Sequence, residues 1–118
     1  MAAPNIVNVT TITGKTAVAG LTAANASLLS NASNSNQVYK INNISYANYT
    51  SSAVSTTATV LRSSTGYYLI GGVSVPANST LVVTGKDTAF YLEEGDSIQG
   101  FASATSSISA VISYEIIW

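Results

Sequence analysis

Apolar and polar residues alternate along most of this chain rather than recurring every three or four positions. Val54, Thr56, Ala58 and Val60 share one side of a two-residue period. Ile108, Ala110, Ile112, Tyr114 and Ile116 do the same near the end. A period of two places alternate side chains on opposite faces of a strand. Val38 to Ser45, Tyr67 to Val75, Thr80 to Thr84, Thr88 to Leu92 and Ser97 to Ala102 read as further strands, rich in Val, Ile, Leu, Phe and Tyr. Within Tyr67–Val75, Gly71-Gly72 signals a bulge or a close backbone approach. Reversals are marked by Asn48–Ser52, Ser63-Ser64-Thr65-Gly66, Pro76-Ala77-Asn78, Gly85-Lys86-Asp87 and Glu93-Glu94-Gly95-Asp96. Short strands with a turn signal about every ten residues predict an all-β fold, a single antiparallel β-sandwich of either jelly-roll or immunoglobulin-like type.

The first third of the chain differs. Asn5 to Thr13 reads as extended, Gly14 and Lys15 interrupt it, and Thr16 to Leu21 resumes a strand. Thr22 to Asn36 is a Ser, Ala and Asn stretch with room for a short strand around Ser27 to Ser30. Its Ser and Asn compete for backbone hydrogen bonds and count against a helix. Residues 1–36 contain no Tyr and few large side chains. They are read as an extended N-terminal arm and small-residue segment, with the sandwich domain at 37–118. The alternative, that they are the first strands of the sandwich, fits the same residues equally.

Composition removes most chemistry. The 118 residues include no His and no Cys, charged residues are 8 % and the formal net charge is −1. These absences exclude a disulfide framework, Cys or His zinc ligation, a Cys nucleophile and a His general base. Lys15, Lys40, Arg62 and Lys86 are scattered singly. Nucleic-acid binding draws its strength from clustered phosphate contacts, so no nucleic-acid partner is expected. No basic amphipathic face and no apolar run of spanning length is present, so no membrane partner is expected. The opening Met-Ala-Ala-Pro-Asn lacks the features of a secretory signal. Six Asn-x-Ser/Thr sequons start at Asn8, Asn25, Asn31, Asn43, Asn48 and Asn78. In a chain that is roughly a third Ser, Thr and Asn, they read as chance.

Three constellations carry candidate chemistry. Glu93, Glu94 and Asp96 surround Gly95. Oxygen-ligand calcium binding is the functional reading, and a solvated hairpin turn with a left-handed Gly95 is the preferred structural one. Ser and Thr are abundant, but no Gly-x-Ser-x-Gly elbow and no Ser-x-x-Lys pair accompanies them, so no enzyme activity, catalytic residue or cofactor is expected. Seven Tyr residues offer sugar-stacking faces, with Tyr39, Tyr46 and Tyr49 near one another in sequence and Tyr67 and Tyr68 expected on opposite sides of a strand. The competing reading has Tyr filling half-buried strand positions. Trp118, following Ile116 and Ile117, either caps the core or packs on a neighbouring subunit.

Residues 5 to 16, Asn-Ile-Val-Asn-Val-Thr-Thr-Ile-Thr-Gly-Lys-Thr, resemble the start of small virion proteins of tailed bacteriophages, notably those infecting cyanobacteria. So do Val-Tyr-Lys-Ile-Asn at 38 to 42 and Val-Pro-Ala-Asn-Ser-Thr-Leu-Val-Val at 75 to 83. Tyr-Leu-Glu-Glu-Gly-Asp-Ser-Ile at 91 to 98, with Ala-Val-Ile-Ser-Tyr-Glu at 110 to 115, is the most distinctive part. The resemblance is one of strand-and-turn pattern over most of the chain. Ser63-Ser64-Thr65-Gly66 stands where a more charged loop is expected, so the surface contacts there are this chain's own.

Such proteins are structural. The resemblance implies a capsid decoration or cement protein, made in the host bacterial cytoplasm and carried on the capsid surface. Its expected partners are the major capsid protein and its own copies in a homotrimer. The alternatives are a neck, tail or tail-fibre component, including a receptor- or glycan-binding module. The expected interface comprises Ile6, Val7, Val9, Ile12 and Trp118, with residues from about Ala3 to Thr13 lying against another chain by strand addition.

Overall fold

The computed structural model describes residues 11–118. Among these described residues nine strands run in the order β1 Ile12–Gly20, β2 Ala26–Ser30, β3 Val38–Asn48, β4 Val54–Arg62, β5 Thr65–Val75, β6 Thr80–Thr84, β7 Phe90–Leu92, β8 Ser97–Ala102 and β9 Ile108–Ile117. A 3-10 turn, Lys86–Thr88, separates β6 from β7. All pairings are antiparallel. One sheet has the order β1-β9-β3-β6, with β7 also on β3, and the other has β2-β8-β4-β5.

β6 and β7 share the same neighbour at different heights. β6 pairs Ile44 to Ala47 of β3, whereas β7 pairs Tyr39 to Ile41. They act as two halves of one interrupted strand. Counted so, eight strands divide four and four, and every connection crosses between the sheets except the β4–β5 hairpin and the short link between the two halves. This is the jelly-roll arrangement of two interleaved Greek keys. An immunoglobulin-like sandwich keeps its first two strands in one sheet. Here β1 and β2 lie in different sheets, which decides between the two expected types.

Residues 12–36 are corrected from arm to sandwich. β1 pairs with β9 from Ile12↔Ile117 to Gly20↔Ser109, running unbroken through Gly14 and Lys15. β2 pairs with β8, and Leu21 and Asn31 are buried. A boundary at 36/37 therefore cuts through both sheets. The small side chains have a packing reason, since both strands are sheet edges and each buries little of its own surface. Ile12 and Thr13, expected against another chain, pair with Ile117 and Ile116 of this one. Residues 3–10 of the expected arm lie outside the described residues.

The core sits where the central strands face each other. Ile41, Ile44 and Tyr46 of β3 meet Ile98 of β8, Ala58 of β4 and Ile108, Ala110 and Ile112 of β9. Each fully buried Ile contributes about 1.5–3 kcal/mol. Tyr46 is the largest of these side chains. Its hydroxyl donates to Thr57 O at 3.4 Å, a long contact. The ring has space because residue 100 is glycine. A Cβ on Gly100 would stand 2.6 Å from the Tyr46 hydroxyl, 3.1 Å from Leu28 Cδ1 and 3.1 Å from Thr57 O.

The bulge forecast at Gly71-Gly72 is present. The β4–β5 register shifts between Thr56 and Thr59, Gly72 adopts φ 65°, and its N–H donates to Thr57 Oγ1 at 3.1 Å. The β4–β5 reversal is tighter than its sequence indicates. Ser63 and Ser64 alone form it, both at positive φ (52° and 65°), the backbone of a two-residue primed turn usually built from Asn and Gly.

Two predictions follow from the Tyr46–Gly100 contact. Gly100→Ala should destabilise the fold by about 1–3 kcal/mol in urea unfolding, through overpacking. Tyr46→Phe should recover part of that loss in the double variant, because it removes the nearest obstructing atom. Burial also raises the Tyr46 phenol well above its ordinary value of about 10, because the interior disfavours the phenolate. The stability tied to its proton is complete below about pH 10 and is lost as pH rises beyond it, at about 1.4 kcal/mol per pH unit. Urea titrations between pH 8 and about 11.5 should show a shallower alkaline loss in Tyr46→Phe than in the parent.

Candidate functional site

The β7–β8 turn and the end of β4 meet at one end of the sandwich. The Arg62 guanidinium donates from Nε to Asp96 Oδ1 at 2.9 Å and from Nη2 to Asp96 Oδ2 at 2.5 Å. Nη2 also reaches Glu93 Oε2 at 3.0 Å. The fork on Asp96 is bidentate, the strong form of a carboxylate contact. Asp96 Oδ2 further accepts the Glu93 N–H at 2.9 Å. Asp96 is buried, while the Arg62 side chain is 46 % exposed. The hydrogen bonds to Asp96, chiefly, push the guanidinium further above its ordinary value.

Asn31 organises the same corner from within. Its Nδ2 donates to Gln37 O and Leu92 O, both at 3.0 Å, and its Oδ1 accepts the Ser35 hydroxyl at 2.7 Å. Its backbone exchanges bonds with the acidic turn, N–H to Asp96 O at 2.9 Å and C=O from Gly95 N–H at 2.8 Å. Glu94 Oε2 accepts the Asn36 N–H at 2.9 Å. The turn read as a solvated hairpin instead crosses between the sheets: Glu93 and Gly95 are exposed as expected, Gly95 is left-handed at φ 85°, and bonds to Arg62, Asn31 and Asn36 hold the turn in place. Its carboxylates already serve the guanidinium and backbone N–H groups, so they do not converge as a calcium shell. Among the described residues no group of three or more acidic side chains is placed to hold a metal ion.

Beside this ion pair lies an open cleft of about 560 Å³ between the edges of the two sheets. Val60, Arg62 and Tyr67 line it from one sheet, and Phe90, Tyr91 and Glu93 from the other side. Tyr67 pairs with Val60 and Tyr68 with Thr59, so the neighbouring tyrosines face opposite ways. Tyr67 turns to the cleft. The Tyr68 ring lies over Gly71, where an added Cβ would come within 3.2 Å of it.

A second exposed feature is the outer face of the five-stranded sheet. Val18 pairs with Val111, Val111 with Ser45, and Ser45 with Val82. These four positions form one row across the sheet. Val18 is 75 % exposed and Val82 56 %. Their neighbours along the strands, Thr16, Gly20, Ala47, Thr80, Ser109 and Ser113, are small and uncharged.

The sequence-derived sites fare unevenly. Ile6, Val7 and Val9 lie outside the described residues. Ile12 and Trp118 are both exposed, at the same corner. Thr11 N–H donates to Trp118 O at 2.8 Å and Trp118 N–H to Thr11 O at 3.0 Å. Tyr39, Tyr46 and Tyr49 do not form a face. Tyr46 is buried, Tyr39 stacks on Tyr114 with centroids 5.3 Å apart, and Tyr49 is exposed. Two sequon asparagines, Asn31 and Asn48, are buried with their amides donating to carbonyls, so neither offers its side chain for modification as folded. The Arg62–Asp96 pair was not foreseen. The residues are 34 apart in sequence, and only the strand order brings them together. Phe90 was likewise missed as a site residue. Among the described residues no helix is long and apolar enough to cross a membrane. Compared with known proteins, the chain matches no family model, no curated protein and no solved structure.

Arg62→Ala should lower stability by about 2–3 kcal/mol, somewhat less than breaking a fully buried pair because water already screens the guanidinium. Glu93→Gln should cost about 1 kcal/mol or less, as an exposed partner does. Urea midpoints of both variants against the parent check the contrast.

Proposed function

We propose that this protein is a structural virion component that binds the outer surface of a bacteriophage capsid and stabilises the shell, as a decoration or cement protein without catalysis. The observation that carries this reading is the uncharged apolar row of Val18, Val111 and Val82 across the outer face of the five-stranded sheet. An exposed patch of small, uncharged side chains suits association with another protein surface. On the same sheet β1 is an edge strand, and among the described residues its outer backbone groups pair with no further strand. That edge suits strand addition by a neighbouring chain. The strand-and-turn resemblance to phage virion proteins points to the partner, the major capsid protein, together with other copies of this chain in a homotrimer. Repeated over a shell, weak contacts of this kind become strong through multivalency. The row itself carries no charge, Lys40 and Glu115 lying further along the sheet, so binding through the row depends weakly on salt.

Quantitative mass spectrometry of purified particles against the major capsid protein tests the reading. Hundreds of copies, near a simple ratio to the shell protein, are expected. A few dozen or fewer would replace it with a neck, tail or fibre position, and absence from the particle would end the virion reading. In particles assembled with Val18→Lys/Val82→Lys, shell occupancy should fall at least about tenfold, the equivalent of 1.4 kcal/mol. The folded domain should survive, since both side chains point to solvent. Full occupancy of the double variant would overturn the assignment of this face.

A further inference from the structure

We propose that the cleft between β5 and β7 is a binding site for a neutral hexopyranose, a terminal or internal unit of a surface glycan. This stands independently of whether the chain sits on a capsid. Four cleft residues, Val60, Tyr67, Phe90 and Tyr91, present apolar or aromatic surface. Tyr67 is 60 % exposed, so one large ring stands open to solvent at the cleft, which half-buried Phe90 also lines. A pyranose has one face of C–H groups, which packs on aromatic rings, and a rim of hydroxyls that needs paired donors and acceptors. The cleft supplies that rim at its charged end. Arg62 commits Nε and Nη2 to Asp96 and Glu93, while Nη1, with two N–H donors, has no partner among the described residues. The Glu93 contacts run through Oε2, leaving Oε1 to accept.

This donor-and-acceptor pair is pre-positioned. The bidentate bond to buried Asp96 fixes the guanidinium plane, so little order has to be imposed when a hydroxyl arrives. The charge balance selects the class of sugar. Arg62 is already matched by Asp96 and Glu93, and Glu94 lies on the adjoining turn. A carboxylated sugar would enter a site with surplus negative charge, whereas a neutral one would not. The volume of about 560 Å³ accommodates one to two rings and falls within the range of small-molecule sites.

The test is direct titration of the full chain, by calorimetry and ligand-observed NMR, with lactose, cellotetraose and maltotetraose as neutral probes and tetragalacturonate as the acidic one. Saturable binding of at least one neutral probe, at about millimolar or tighter affinity, and no binding of tetragalacturonate are expected. Tyr67→Ala should weaken binding about tenfold or more with an unchanged thermal midpoint, because the ring is exposed. Tyr68→Ala, on the other face of the same strand, should leave binding intact. No saturable neutral ligand up to about 10 mM would overturn the proposal. So would preference for the acidic probe, or equal losses in the two tyrosine variants.

Discussion

A jelly roll carries its chain from one sheet to the other at most of its connections, and each crossing strands backbone N–H and C=O groups beyond the reach of a ladder. Leaving such groups buried and unpaired costs as much as losing a hydrogen bond. This chain meets that constraint with short neutral amides and hydroxyls. Asn31 serves the β2–β3 crossing and Asn48 the opposite end, where Nδ2 donates to Ser52 O at 2.8 Å and Val75 O at 3.0 Å and Oδ1 accepts from Thr50. Thr56 Oγ1 donates to Val73 O, Thr57 Oγ1 accepts Gly72 N–H, and Thr84 Oγ1 donates to Thr88 O. Among the described residues no buried side-chain nitrogen or oxygen is left without a partner. The Ser, Thr and Asn content is in good part this internal wiring.

The same economy explains where the few charges go. Asp96 is held in the corner by Arg62, and the guanidinium joins the end of β4 to the turn before β8. A carboxylate placed there anchors a turn. It is poorly suited to general acid–base work, which needs a group free to exchange its proton with a substrate. With Glu93, Glu94 and Asp96 so engaged, the exposed features at and beside this corner include an apolar sheet face and a cleft with aromatic lining.

Much of the sandwich was legible because β4 and β9 alternate in sequence and turn residues mark the reversals. β6 and β8 coincide with their expected ranges, and Gly71-Gly72 marks the bulge. β1 and β2 were harder to read, since an edge strand buries too little to impose alternation on its sequence. Gly14 and Lys15 looked like an interruption because both faces of β1 are largely exposed there. The Ser63-Ser64 turn gave no Gly or Asn signal for its positive φ angles. At the candidate cleft, Tyr67 could be singled out from the strand pattern. Its companions Phe90 and Arg62 could not, because strand order, a non-local property, sets which edges face each other.

The backbone pair between Thr11 and Trp118 has a mechanical consequence. It closes the end of the β1–β9 ladder, which then runs antiparallel to Gly20 and Ser109. A load drawing Thr11 and Trp118 apart would act on the ladder from its end and open it one rung at a time. Hydrogen bonds loaded in sequence yield at far lower force than bonds sheared together. Tension applied through the outer sheet face would instead spread over several strands. How such a domain bears stress thus depends on where it is held, and a grip on the sheet face spares the β1–β9 ladder from being unzipped.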